Sequence, residues 1–116
     1  MKTESLKQLA LHALHDLKGI DILTLDVTDL TTITDIMIIC TGRSSRHVRS
    51  LADNVVKDAK VKRHSYIKVE GQRESEWIIV DLGDVIVHVM QAATREFYNL
   101  EDLWETHAHS YTRHRQ

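Results

Sequence analysis

Residues 77–90 read WIIVDLGDVIVHVM and contain two apolar, mostly β-branched runs on either side of Gly83-Asp84. Glycine as the first residue of a two-residue loop favours a type II′ turn, so this stretch predicts a β-hairpin. The turn sets the register of the two strands, because a slip of one residue would exchange their faces. One face then consists only of Ile, Val and Leu, in the pairs Ile78–Val89, Val80–Val87 and Leu82–Val85. We predict that this face lies in the core.

The opposite face of the hairpin is mixed in character. It carries the pairs Trp77–Met90, Ile79–His88 and Asp81–Ile86. A tryptophan and a methionine with charge at the edge are typical of the centre of a protein–protein interface. The alternative is that a helix covers this face and that His88 is a hydrogen-bonded core histidine. The alternation of residues is compatible with both interpretations.

Hydrophobic periodicity predicts the other elements. Together with the two hairpin strands, the order is helix, two strands, helix, three strands and a helical end made of two short helices. Outside the hairpin, the predicted helices are 3–18, 46–60, 94–98 and 100–105, and the predicted strands are 22–27, 33–41 and 65–70. This order predicts a single α/β domain over residues 1–105, with a mixed five-stranded sheet flanked by helices. Residues 106–116 are predicted to form a polar, His-rich and flexible tail.

Composition restricts the class of protein. With 116 residues, of which 42% are hydrophobic and 28% charged, the chain is typical of one soluble globular domain. Its apolar runs are far shorter than the roughly 20 residues of a membrane-spanning helix, and no signal-peptide pattern is present, so we expect a cytoplasmic location. The single cysteine, Cys40, excludes an internal disulfide and a multi-cysteine zinc site, and it fits a reducing compartment.

Charge is distributed unevenly along the chain. The formal net charge is −2, but residues 74–105 contain eight carboxylates and one arginine, Arg95, for a net charge of −7. A segment with this charge repels nucleic-acid phosphates and attracts basic surfaces. If this half of the chain binds a macromolecule, a basic protein is favoured over nucleic acid. The alternative is an acidic face that is merely solvated.

No motif in the sequence indicates catalysis or a cofactor. Paired carboxylates hold magnesium in phosphoryl transfer, but Asp81 and Asp84 flank a turn instead of standing two residues apart on one strand face. The stretch TGRSSR at 41–46 can bind an anion at a helix N-terminus, although such a stretch more often only caps the helix. A metal ion can bind His107, His109 and His114, but a flexible tail is the simpler interpretation. We therefore expect neither an enzyme nor a bound cofactor or metal.

The second predicted helix offers a different surface. Its cations are Arg46, Arg49, Lys57 and Lys60, and Arg43 precedes it. These residues can contact RNA phosphates, but the helix carries no aromatic residues on which bases would stack. An RNA-binding role through this helix is the alternative to protein binding through the hairpin.

Three long motifs occur in order along the chain. They are TDIMIICTG at 34–42 followed by SSRHV at 44–48, the hairpin stretch at 77–90, and REFYNLEDLW at 95–104. Together they closely resemble the ribosomal silencing factor family, also called RsfS or Iojap-like. The resemblance extends from about Leu6 to Glu105, and several long motifs in order are far more specific than one short motif. It implies a nucleotidyltransferase-like fold without the catalytic signature.

The resemblance also implies a function. A member of this family is expected to be a translational repressor that binds the large ribosomal subunit through its fourteenth protein. Because the small subunit docks at that face, the two subunits then cannot join, and translation falls when nutrients are scarce. Homodimers are expected as the free form. Organelle relatives act in ribosome biogenesis, so the alternative is an assembly factor that contacts ribosomal RNA through the basic second helix.

The hairpin pattern and the resemblance together define a candidate partner-binding site. Its predicted residues are Trp77, Ile79, Asp81, His88, Met90, Glu96 and Tyr98. The apolar residues are expected to bury area against a basic ribosomal protein, while Asp81 and Glu96 meet its positive charges. The position of Tyr98 beside the hairpin is implied by the resemblance alone. Ala92 and Ala93 stand where relatives commonly carry acidic residues, which leaves Glu96 as the local acid.

Overall fold

The computed structural model describes residues 2–105 and 110–114, which form one β-sheet and four helices. In chain order the elements are α1 (Thr3–Asp16), β1 (Ile20–Asp26), β2 (Ile36–Gly42), α2 (Ser45–Val61), β3 (Lys68–Glu70), β4 (Trp77–Asp81), β5 (Val85–Gln91), α3 (Ala92–Tyr98), α4 (Leu100–Glu105) and β6 (Ser110–His114). The α/β fold class is confirmed. The predicted elements occur in the predicted order, with boundaries that differ by a few residues, and β6 is an additional strand. Within the described ranges, no helix is long and apolar enough to cross a membrane.

The strands form a single mixed sheet in the order β3-β4-β5-β2-β1-β6. β2 and β5 run parallel, and every other neighbouring pair is antiparallel. The chain leaves β2 through α2, reaches one edge of the sheet at β3, and returns through two antiparallel connections to place β5 beside β2. The predicted mixed sheet of five strands is therefore present, with one strand more.

The β4–β5 hairpin has the predicted register. Its paired residues are Trp77–Met90, Ile78–Val89, Ile79–His88, Val80–Val87 and Asp81–Ile86. At the turn, the N–H of Leu82 donates to the carbonyl of Val85 at 2.9 Å. Gly83 has a φ of +90°, a conformation that a residue with a Cβ adopts only with strain. The glycine thus determines the turn, and the turn determines which residues of the hairpin share a face.

α1 and α2 cover one side of the sheet, which we call the closed face. Both helices pack their apolar stripes against the face of the hairpin that was predicted to be core. The buried side chains there include Leu14, Leu51, Ile78, Val80 and Val87, each no more than 1% exposed. Removal of this apolar area from water is the main favourable contribution to folding.

The other side of the sheet is covered only in part, and we call it the open face. A smaller buried cluster consists of Leu23, Leu25, Val27, Met37, Ile39 and Met90, and Trp77, Leu100 and Trp104 pack against it. α4 supplies two of these packing residues, so it covers the region of β1, β2 and the end of β5. On β4, the side chains of this face are half-buried. The mixed face of the hairpin therefore keeps contact with solvent.

β6 is a strand that the sequence analysis did not predict. It pairs antiparallel with β1. The assignment of 106–116 to a flexible tail is thus corrected for Ser110–His114, while 106–109 and 115–116 lie outside the described residues. Without β6, β1 would be an edge strand with unpaired backbone N–H and C=O groups. Tyr111-Thr112 are residue types that favour such pairing.

Candidate protein-binding surface

An aromatic group stands on the open face where β4 begins. The indole N–H of Trp77 donates to Nδ1 of His88 at 2.9 Å, and their ring centroids are 5.8 Å apart. The ring of Tyr98, from α3, lies 4.9 Å from the ring of Trp77. Phe97 meets Tyr98 edge-to-face at 5.1 Å. The β4–β5 hairpin and α3 therefore meet at Trp77.

His88 is a buried residue, with 8% of its surface exposed. Burial lowers its pKa from 6.5 to about 4, so the imidazole is neutral at pH 7. Because Nδ1 accepts the hydrogen bond from Trp77, the proton of the neutral ring is on Nε2. The structure thus places His88 as a hydrogen-bonded interior histidine that orients Trp77, as the alternative interpretation of the hairpin proposed.

Met90 is fully buried, with 0% exposure, in the cluster that includes Leu23 and Ile39. Its predicted contact with a partner is therefore corrected, because its side chain has no surface to offer. The alternation along β5 correctly places Met90 on the same face as Trp77. Alternation gives no information on α4, which packs against this cluster.

Ile79, Asp81 and Ile86 extend the open face from Trp77 toward the turn, and all three side chains are half-buried. The carboxylate of Asp81 accepts the N–H of Gly83 at 2.9 Å, so it also stabilises the turn. Ile86 was not included among the predicted site residues. Its pairing with Asp81 in the hairpin was the signal that places it on this surface.

The segment formed by α3 and α4 adds exposed side chains beside the hairpin. Glu96 is exposed, as predicted for a residue that meets a partner, and Tyr98 is 55% exposed. Phe97 and Leu103, at 81% and 64% exposure, were missed. The exposure of Phe97 could have been inferred from the shortness of α3, which is predicted over 94–98 and has seven residues in the structure. Such a short helix has few inward positions for two adjacent aromatic residues. We call the following set the Trp77 face: Trp77, Ile79, Ile86, Phe97 and Tyr98.

Arg95 is the one cation of the acidic segment, and the structure buries it to 6% exposure. Its Nε and Nη2 donate to the two carboxylate oxygens of Glu101 at 3.0 and 3.1 Å. Its Nη1 donates to the carbonyl of Asp21 at 2.6 Å and to the hydroxyl of Thr41 at 2.9 Å. A bidentate pair of this kind fixes geometry as well as charge. The positive charge of Arg95 is therefore paired with the carboxylate of Glu101 in the interior of the protein.

The two carboxylates considered for catalysis hold the hairpin turn in place. Asp81 accepts a backbone N–H of the turn, and Asp84 accepts the hydroxyl of Thr3 at 2.9 Å. Among residues 2–105 and 110–114, no group of three or more His, Cys, Asp or Glu side chains is arranged to hold a metal ion. His107 and His109 lie outside these ranges.

The loop before α2, considered for anion binding, is closed by its own hydrogen bonds. The Oγ of Ser44 accepts the N–H of His47 at 3.1 Å, and the N–H of Arg43 donates to Nδ1 of His47 at 2.9 Å. Nε2 of the same imidazole lies 2.8 Å from the carbonyl of Leu17. Two N–H groups that an anion would need are thus already bound, which favours the interpretation of this loop as a helix cap.

Cys40 lies in the core, at 0% exposure. Burial raises the pKa of its thiol to about 12. Because the thiolate is the reactive form, this side chain is inert as a nucleophile in the folded protein.

Comparison with known proteins identifies the family. Residues 1–116 match the family model described as "Ribosomal silencing factor during starvation". Ribosomal silencing factor RsfS from Haemophilus influenzae is 46% identical over 100 residues, which are 86% of this chain and 98% of that protein. The mouse protein "Mitochondrial assembly of ribosomal large subunit protein 1" is 36% identical over 87 residues, which are 72% of this chain and 38% of that protein.

A solved structure supports the same conclusion. The crystal structure of a protein from Chromobacterium violaceum superposes with a TM-score of 0.88 at 42% sequence identity. The similarity covers 90% of this chain and 88% of that one. The chain belongs to the ribosomal silencing factor (RsfS) family.

Proposed function

We propose that this protein represses translation by binding the large ribosomal subunit through its fourteenth protein and thereby blocking the small subunit. Membership of the family establishes ribosome silencing as its general role. The observation that carries the finer proposal is the partly exposed Trp77 face beside an acidic segment. The name of the mouse relative refers to the large subunit, which supports the choice of that subunit.

The apolar part of the Trp77 face is suited to the centre of an interface. Aromatic side chains bury large areas at low cost in conformational entropy, and they dominate the binding energy of many interfaces. The N–H of Trp77 is already bound to His88, so a partner can cover the indole without leaving a donor unpaired. Phe97 is 81% exposed, the largest exposed fraction among the large apolar side chains of the described residues.

The acidic residues near this face favour a basic partner. Glu76, Asp84 and Glu96 are exposed, and they belong to the segment of net charge −7. The guanidinium of Arg95 does not offset them at the surface, because it is buried against Glu101. Such a surface accelerates encounter with a basic ribosomal protein and disfavours naked RNA.

Steric exclusion follows from the size of the domain. Its principal dimensions are 34 × 34 × 26 Å, whereas contacts between the ribosomal subunits require atoms to approach within hydrogen-bond distance. A domain of this thickness on the joining face of the large subunit would therefore hold the small subunit away. Repression by this mechanism needs no catalytic step.

We also propose that the free protein is a cytoplasmic homodimer. Phe97, Leu103 and Tyr98 are large side chains that remain more than half exposed in one copy of the chain. The rings of Phe97 and Tyr98 pack against each other, and exposed apolar patches are typically covered by a partner or by a second copy.

Sedimentation with purified ribosomal subunits tests the proposed function. The wild-type protein should migrate with the large subunit, and addition of small subunits should yield fewer joined ribosomes. Trp77→Ala should reduce binding by about thirtyfold or more, since central aromatic anchors contribute roughly 2–4 kcal/mol.

A matched control is Val61→Ala. Val61 is 71% exposed and belongs to α2, on the closed side of the sheet, so its truncation should leave binding unchanged. Migration of the wild type with neither subunit would overturn the proposal. If Trp77→Ala bound as tightly as the wild type, the Trp77 face would not be the binding surface.

A second candidate function is ribosome assembly through contact with ribosomal RNA. Its specific support is the outer surface of α2 and the loop before it, where Arg43, Arg46, Arg49, Lys57 and Lys60 are all exposed. Among the ion pairs of the described residues, none involves these five cations. Filter binding of naked ribosomal RNA should then weaken steeply with salt and disappear when these residues are neutralised. Salt-independent or absent binding would exclude this candidate.

A further inference from the structure

α3 continues directly from β5 and places one buried side chain against distant parts of the protein. This helix has seven residues, and Arg95 is its only buried residue. A helix of this length is unstable in isolation, so its position depends on tertiary contacts. The contacts of Arg95 reach Asp21 at the start of β1 and Thr41 near the end of β2. Arg95 therefore anchors α3 to two strands that lie far away in sequence.

The corner between α3 and α4 depends on the same side chain. Asn99 turns the chain with a φ of +48°, and its N–H donates to the carbonyl of Arg95 at 2.8 Å. Beyond the corner, the carboxylate of Glu101 binds back to Nε and Nη2 of Arg95. The bidentate pair thus joins the two helices across the corner and restricts the angle between them.

Tyr98 lies between these contacts, three residues after Arg95 and one residue before the corner. Its ring meets Trp77 at 4.9 Å and supports Phe97 at 5.1 Å. Any rotation of α3 about its anchor would displace both exposed rings relative to the hairpin. The arrangement of the aromatic residues is therefore only as well defined as the position of Arg95.

We infer that Arg95 is the positioning residue of the Trp77 face: its pair with Glu101 sets Tyr98 against Trp77 and presents Phe97 to the partner. The inference rests on the proposed function and deepens it. Arg95 touches no partner, because it is buried. It acts by reducing the conformational freedom that the aromatic side chains would otherwise lose on binding.

The test is a double-mutant cycle measured with purified large ribosomal subunits. Glu101→Gln removes the charge of the pair but keeps the shape of the side chain, and it should weaken binding by about fivefold to tenfold. Arg95→Lys, which cannot form the bidentate geometry, should weaken binding further. In a Tyr98→Ala background, Glu101→Gln should have little additional effect, because both changes disturb the same element.

Amide hydrogen exchange separates positioning from a general loss of stability. In Glu101→Gln, exchange should accelerate at residues 96–100, while residues 78–89 of the hairpin keep the wild-type rate. The matched control is Glu4→Gln, which breaks the pair of the exposed Glu4 with Lys7 on α1 and should change neither binding nor exchange in α3 and α4.

Each alternative result has a definite meaning. If the wild type binds and Glu101→Gln binds equally well, the inference is wrong while the proposed function stands. The inference is also contradicted if the effects of Glu101→Gln and Tyr98→Ala on binding simply add. A rise in hydrogen exchange that is equally large in the hairpin contradicts it as well. If the wild type does not bind large subunits, the proposed function fails and the inference fails with it.

Discussion

The closed face and the open face of the sheet differ in what covers them. Helices of 14 and 17 residues cover the closed face, whereas the helices on the open side have seven and six residues. The same alternating strands supply apolar side chains to both faces, so the strands do not cause the difference. Short helices leave Trp77 and Ile79 half-buried. Apolar area on the closed face therefore stabilises the fold. On the open face the buried cluster does the same, and only the half-buried side chains around Trp77 form the surface that we propose for binding.

The largest expected effect on stability at neutral pH comes from the closed face. Leu14 is 0% exposed between α1 and the sheet, so Leu14→Ala should lower the free energy of unfolding by about 3 kcal/mol. Chemical denaturation measures this change. Leu17→Ala is the matched control, because Leu17 is 37% exposed at the end of the same helix and should cost far less. If both variants lowered the free energy of unfolding equally, covered and uncovered apolar residues would not differ in their contribution to stability.

His88 predicts a pH dependence that originates on the open face. An unfolded histidine has a pKa near 6.5, while burial lowers the pKa of folded His88 to about 4. Between these values the unfolded chain binds the proton and the folded protein does not. The contribution of His88 to stability is therefore complete above pH 6.5 and is lost as the pH falls toward 4, by up to about 3 kcal/mol.

His88→Gln isolates this contribution, because glutamine can accept the N–H of Trp77 but does not titrate. Denaturant unfolding at a series of pH values should show the stability of the wild type falling toward that of the variant below pH 6.5. A constant difference between the two proteins from pH 7 to pH 4 would contradict a buried, neutral His88.

The smallest expected effect on stability belongs to Phe97. Because this side chain is 81% exposed, Phe97→Ala should change the free energy of unfolding by less than about 0.5 kcal/mol. The same variant should bind large subunits about tenfold more weakly, as expected for an exposed aromatic residue at an interface. A marked loss of stability with unchanged binding would reverse the roles assigned to the two faces.

The hairpin shows how much of the structure was predictable from sequence. Gly83-Asp84 and the alternation around it predicted the register of β4 and β5 and the residues of each face. These features depend on local backbone geometry, which neighbouring residues determine. Trp77 and Ile79 were placed correctly on the partly exposed face for the same reason.

Features that depend on distant residues were not predicted. The burial of Met90 depends on packing from α4, and the ion pair of Arg95 with Asp21 joins residues 74 positions apart. The pairing of β6 with β1 joins residues 110–114 to residues 22–26. No local pattern reports such contacts, because the partner of each group is chosen by the tertiary fold.

The parallel pairing of β2 with β5 also determines when the protein can fold during its own synthesis. β2 ends at Gly42 and its partner begins only at Val85, so the centre of the sheet is incomplete until β5 has been made. Pairing over this separation must overcome the entropy of a long loop, which slows folding and leaves apolar strands exposed in the nascent chain. The Trp77 face needs α3 as well. The surface that we propose for ribosome binding thus forms only after both β5 and α3 have been synthesised.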